Sequence, residues 1–202
     1  MQYSNSQGYC ARTGDPSCKC IDPLPKVSAL KVDLKCAMRK LWSDHAVFDA
    51  WVGDAIIDGS PALPALLNRL KQNQYDIGNQ LKPLVNNQFG DIVTQALLQH
   101  IQTVGDFIKA KVRQVRQDPQ ADTDYTQKMI AAAEEVGRVL ATLNPKKLPE
   151  DQAVDMMVRH IQHIMAMGEA RLAGDYEKEL KIYDSYYNHL IELSDAIYNA
   201  LF

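Results

Sequence analysis

Residues 59–83 read GSPALPALLNRLKQNQYDIGNQLKP. Gly59 and Pro61 halt one helix, while Ser60 offers an N-cap oxygen and Pro61 suits the first turn of the next. Leu63, Leu66, Leu70, Asn73, Ile77 and Leu81 then recur at three- and four-residue steps. That spacing is one stripe of a helix over about 61–82, which Pro83 ends. A stop, a cap and a fresh amphipathic run in so few residues fold two helices back on each other.

The same pattern continues on both sides. Upstream, Leu34, Met38, Leu41, His45, Phe48, Val52 and Ala55 predict a helix over about 27–58. Downstream, Val93, Leu97, His100, Val104 and Phe107 mark one over about 89–116, and Met129, Ala133, Val136 and Leu140 one over about 123–143. Asn144-Pro145 breaks the chain before a helix from Pro149 to Gly174, carrying Val154, Met157, His160, Ile164 and Met167. The last helix runs from Asp175 to the terminus on Leu180, Tyr183, Tyr187, Leu190, Ser194, Ile197 and Leu201. No strand alternation is present. The expected fold is all-α: an antiparallel up-and-down bundle of about five to six helices over 27–202, behind an irregular Cys-containing N-terminal arm over 1–26.

The arm holds most of the unusual chemistry. All four cysteines of the 202 residues, Cys10, Cys18, Cys20 and Cys36, fall in its neighbourhood, spaced C-x7-C-x-C-x15-C. Four thiolates suit a tetrahedral zinc ion, two disulfides would staple the same segment, and unlinked thiols are the third reading. Residues 1–40 carry seven Lys/Arg against three Asp/Glu, and residues 149–202 four against ten. With a net charge of −3 the chain has no bulk attraction for nucleic acid. No apolar run approaches the roughly 20 residues of a membrane span, and the first residues lack a basic-then-apolar signal peptide.

Helix rise, about 1.5 Å per residue, gives each polar side chain a height. His45 lies 15 residues before position 60 and Asp76 lies 16 after it. Asp76 and His100 each lie 12 residues from position 88. The same arithmetic brings His160, and then Asp184 or His189, to that level. The expected polar core layer is Asp44, His45, Asn73, Asp76, Asn79, His100, His160 and Asp184. Imidazole nitrogens and carboxylate oxygens at one level suit zinc, iron or copper, with His45, Asp76, His100 and His160 as ligands. The same groups also suit a hydrogen-bonded network that fixes helix register.

The stretches Leu41-Trp42-Ser43-Asp44-His45, Arg69 to Asn79, Lys82-Pro83, His100-Ile101, Asn144-Pro145, Met157 with His160, Arg171-Leu172 with Gly174-Asp175-Tyr176, and Tyr183-Asp184 carry a resemblance. Over about 37–202 the chain resembles an uncharacterised family of small helical proteins known mainly from bacteria, some labelled glycosyltransferase or acetylglutamate kinase. No nucleotide-binding α/β pattern here accompanies either label. The resemblance implies that Asp44, His45, Asn73, Asp76, Asn79, His100 and His160 match the family's polar pattern. His189 departs from it, and Met167 stands where that pattern has Glu.

No P-loop, nucleophile elbow or H-E-x-x-H segment occurs. The leading expectation is a non-enzymatic structural or interaction protein whose buried His/Asp/Asn layer sets its packing. Its arm would tether it to a protein partner, another copy of the chain, or a larger assembly such as a virus particle or cell-surface structure. The alternative is a metal-binding bundle for storage, sensing or oxidative chemistry. A third reading makes His45 or His160 the base of a hydrolase or transferase, oriented by Asp44 or Asp76.

Overall fold

The computed structural model describes residues 29–118 and 124–202. Six helices follow one another: α1 (Ala29–Asp58), α2 (Leu63–Leu81), α3 (Asn87–Arg116), α4 (Asp124–Ala141), α5 (Glu150–Leu172) and α6 (Tyr176–Leu201). They form an antiparallel up-and-down bundle, with no strand among the described residues. Each helix packs on its neighbours in sequence, and α1 also packs against α3, α5 and α6. Side chains projecting from α1 therefore meet several helices at once. None of the described helices is long and apolar enough to cross a membrane.

The helix ends follow from local chemistry. Gly59 and Gly174 adopt φ of 69° and 75°, a region open to glycine without a Cβ penalty, and each ends a helix. Ser60 does not cap α2 as its position suggested. Its Oγ accepts from the Ala62 N–H at 3.2 Å, its carbonyl accepts from Leu63 N–H at 3.2 Å, and the helix starts only after this turn. α3 starts earlier than the apolar stripe implied, because Asn86 Oδ1 accepts from the Phe89 N–H at 2.8 Å. Asp175 does the same for α6, accepting from Lys178 N–H at 3.1 Å.

Two polar clasps join distant helices. On α1 and α6 the Arg39 guanidinium donates to both oxygens of Asp195, which also meets Lys35 at 3.2 Å. The hydrogen bond from Arg39 holds the Asp195 carboxyl below its ordinary range. Arg171 of α5 pairs with Asp54 at 3.1 Å, with Asp58, and with Glu179 at 3.0 Å.

α4 and α5 touch backbone to backbone at Gly137. A Cβ there would lie 2.7 Å from Val154 Cα and 2.8 Å from its nitrogen. Alanine ordinarily favours a helix by about 1 kcal/mol over glycine. Gly137→Ala is nonetheless expected to lower stability by about 2 kcal/mol, because the obstacle is backbone that cannot rotate away. Urea denaturation of the variant checks this.

Candidate metal centre

His45 of α1, His100 of α3 and His160 of α5 converge in the bundle interior, each at most 1% exposed. One ring nitrogen from each lies within 4.8 Å of the other two. His100 Nε2 and His160 Nε2 are 3.1 Å apart, and the ring centroids of His45 and His160 are 5.7 Å apart. Each helix supplies its imidazole from an apolar stripe: Trp42, Ala46 and Val52 on α1, Leu97, Ile101 and Val104 on α3, Met157, Ile161 and Ile164 on α5 are all buried.

α2 holds the His45 ring. Asn73 Nδ2 donates to Leu41 O at 2.9 Å, which turns its Oδ1 toward His45 Nδ1 at 3.2 Å. Gln74 Nε2 lies 3.2 Å from the same nitrogen but donates to Leu70 O at 2.7 Å and to Asn73 Oδ1 at 3.2 Å. The tautomer consistent with this arrangement puts the proton on Nδ1, donating to Asn73 Oδ1, and leaves the lone pair on Nε2. His100 and His160 lack such support: the Nδ1 atom of each is buried with no hydrogen-bond partner among the described residues.

Burial keeps all three rings neutral. Loss of solvation lowers the His45 pKa against the opposing charge of Asp49. It lowers His100 to about 3, reinforced by His45, and takes His160 well below the ordinary value, reinforced by His100 and His45. A neutral imidazole is the metal-ligating form.

Two further buried groups lie beside the triad. Asp49, one turn along α1 from His45, is 5% exposed and accepts from the Tyr186 hydroxyl of α6 at 2.8 Å. Burial raises its pKa against the pull of His45 and of that hydrogen bond. Tyr186 is fully buried, with its ring centroid 5.3 Å from that of His160. Burial and the nearby Asp49 push its phenol well above the usual value.

The other expected layer residues lie elsewhere. Asp44 is half-buried and pairs with Lys40 at 2.7 Å and Arg69 at 3.3 Å. Asp76 accepts from Gln72 at 2.9 Å and, with Asn79, lines an outer groove beside Lys40 and Pro83. Asp184 is exposed. Asp76 is therefore not among the grouped potential ligands, which are His45, His100 and His160. His189 is buried, its Nε2 lies 2.8 Å from Met156 O, and it is not among the grouped ligands. Cys36 is an exposed free thiol on α1; Cys10, Cys18 and Cys20, and with them the arm, lie outside the described residues.

Asp49, Gln74 and Tyr186 were not anticipated. Asp49 is four residues from His45, the spacing that keeps one helix face, but Phe48 beside it fits the apolar stripe equally well. No family model, curated protein or solved structure matches the chain.

Proposed function

We propose that the chain is a metal-binding helical bundle in which His45, His100 and His160 hold one transition-metal ion. The observation that carries this reading is the convergence of three neutral, fully buried imidazoles from three helices. Ligands about 2.0–2.1 Å from one zinc ion lie roughly 3.3 Å apart in a tetrahedral site. The 3.1 Å between His100 Nε2 and His160 Nε2 is close to that value, and the wider spacing to His45 needs a small inward movement of its ring. An all-imidazole set favours zinc, copper or iron over magnesium or calcium. Three protein ligands would leave a fourth position for water or a small ligand, the arrangement of reactive rather than purely structural sites. Only His45 has a side chain fixing its outer nitrogen, so the affinity is expected to fall below that of a site with all three ligands supported.

Protein exposed to zinc, copper or iron(II) and then desalted is expected to hold about one ion per chain of at least one of them. At a free concentration 100-fold above Kd that metal should add about 2.7 kcal/mol to stability, raising the melting temperature. His100→Gln and His160→Gln should each abolish the ion and the rise. Replacing Cys10, Cys18, Cys20 and Cys36 together by Ser should leave both intact. Less than about 0.2 ion per chain, with no rise for any of the three metals, defeats the reading and leaves the layer as a packing element.

A further inference from the structure

A cavity of about 290 Å³ opens between α1, α3, α5 and α6. Ile57, Ile108, Ile164 and Met167 form its apolar walls. Gly53 and Gly168 also line it, and the absence of side chains there leaves room in the walls. Asp49, Asp54 and Glu179 bring three carboxyl groups to the lining, which contains no Lys, Arg or His. Trp51 and Tyr183 are its two aromatic residues; Trp51 and Leu180 are 51% and 65% exposed and so belong to the mouth.

We infer that this cavity binds a compact organic ammonium ion, its charged nitrogen toward Asp49 and its apolar body between Ile108, Ile164 and Met167. The deciding group is Asp49. It is 5% exposed. The Tyr186 hydroxyl, on Oδ2, is the one hydrogen bond it makes among the described residues. The second carboxylate oxygen is left without a donor in the lining of a cavity. An ammonium N–H would give that oxygen a charge-assisted donor.

The alternatives fit less well. Apolar walls cannot replace the hydration shell of a small inorganic cation. An organic anion would face the Asp49 carboxyl, with Arg171 already engaged by Asp54, Asp58 and Glu179. Aromatic rings at the mouth favour cations through their negative faces. The volume lies at the lower end of small-molecule sites, about 300–1,000 Å³, which selects a ligand with one ring or a short chain.

The inference stands without the metal reading, and its test runs with chelator present so that the triad is not loaded. Isothermal titration of the full chain uses three probes of similar size: 2-phenylethylammonium chloride, neutral 2-phenylethanol and anionic 3-phenylpropionate. The ammonium should bind at least about tenfold tighter than the alcohol, with no binding of the carboxylate. Asp49→Asn should erase the advantage of the ammonium over the alcohol. Gly53→Leu, whose Cβ would lie no closer than 3.5 Å to Ile108 Cδ1, extends into the cavity and should abolish binding of both while melting like the parent protein. Equal affinity for ammonium and alcohol, no binding of any probe, or ammonium binding untouched by Gly53→Leu each overturns the assignment. The comparison of probes on the unsubstituted chain decides the matter even where Asp49→Asn fails to fold.

Discussion

Lowering the pH from 7 to 4 is expected to make His100→Leu more stable relative to the parent chain by about 3 kcal/mol. The His100 pKa is about 3 in the folded protein, against an ordinary value of 6.5. A depressed folded pKa contributes stability that is fully present above the unfolded value and is lost as pH falls toward the folded one. Between pH 6.5 and 4 the unfolded chain takes up a proton that the folded chain refuses, and the parent weakens. His45 and His160 are shifted in the same direction and add to the loss. Asp49 and Asp54 act oppositely, because burial raises both, Asp54 to about 7. Their stability is fully present at acid pH and is lost as pH rises, so they offset part of the histidine effect in the parent. Comparing the two chains at each pH removes that common contribution. Urea denaturation at pH 7, 6, 5 and 4 in chelator gives the difference directly; a constant difference across the series would show that His100 does not titrate as a buried neutral ring. In saturating metal the parent should weaken more steeply with acid, since protons then displace the ion as well.

The same three rings show how much the sequence could disclose. Rise per residue fixes height along a bundle, and that arithmetic places His45, His100 and His160 at one level. It says nothing of azimuth, which advances about 100° per residue. Asn73 and Ile77 face the core; Asn79, two residues from Ile77, is therefore turned about 200° away and is exposed. Asp184 stands in the same relation to buried Tyr186. On α6 the expected stripe began at Leu180, which is 65% exposed, whereas Glu179 and Tyr186 face inward. Dense tyrosines made several azimuths equally apolar there. On α1, Phe48 masked Asp49: a phenylalanine suits a core, yet Arg69 covers its ring at 4.3 Å and it stays half-buried. Burying the acid is tolerated because Tyr186, from the far end of the sequence, donates to it. Neither that partner nor the Gly78–Gly90 contact could be found by reading one helix at a time.

That contact sets the second large effect. Gly78→Ala is expected to lower stability by about 2–4 kcal/mol and to weaken metal binding about tenfold. A Cβ on Gly78 would collide with Thr94 Oγ1 and lie 2.5 Å from Gly90 O. Thr94 cannot swing away freely, since its hydroxyl donates to that same Gly90 carbonyl at 2.9 Å. Gly90 in turn faces Gly78 O, 2.5 Å from where its own Cβ would stand, so two chains of backbone are in contact and α2 must move outward. The turn of α2 that precedes Gly78 carries Asn73, which accepts from His45, and Gln74, which donates to Asn73 Oδ1. Displacing it frees the ring, and the triad loses its one oriented ligand. Gly105→Ala supplies the contrast within the same bundle. Its Cβ would meet nothing nearer than Ile56 Cδ1 at 3.9 Å, so it should gain up to about 1 kcal/mol from helix preference and leave metal affinity unchanged. Equal stability of the two alanine variants would mean that α2 and α3 are not held at backbone contact. Lost stability with unaltered metal affinity would mean that His45 keeps its orientation without α2.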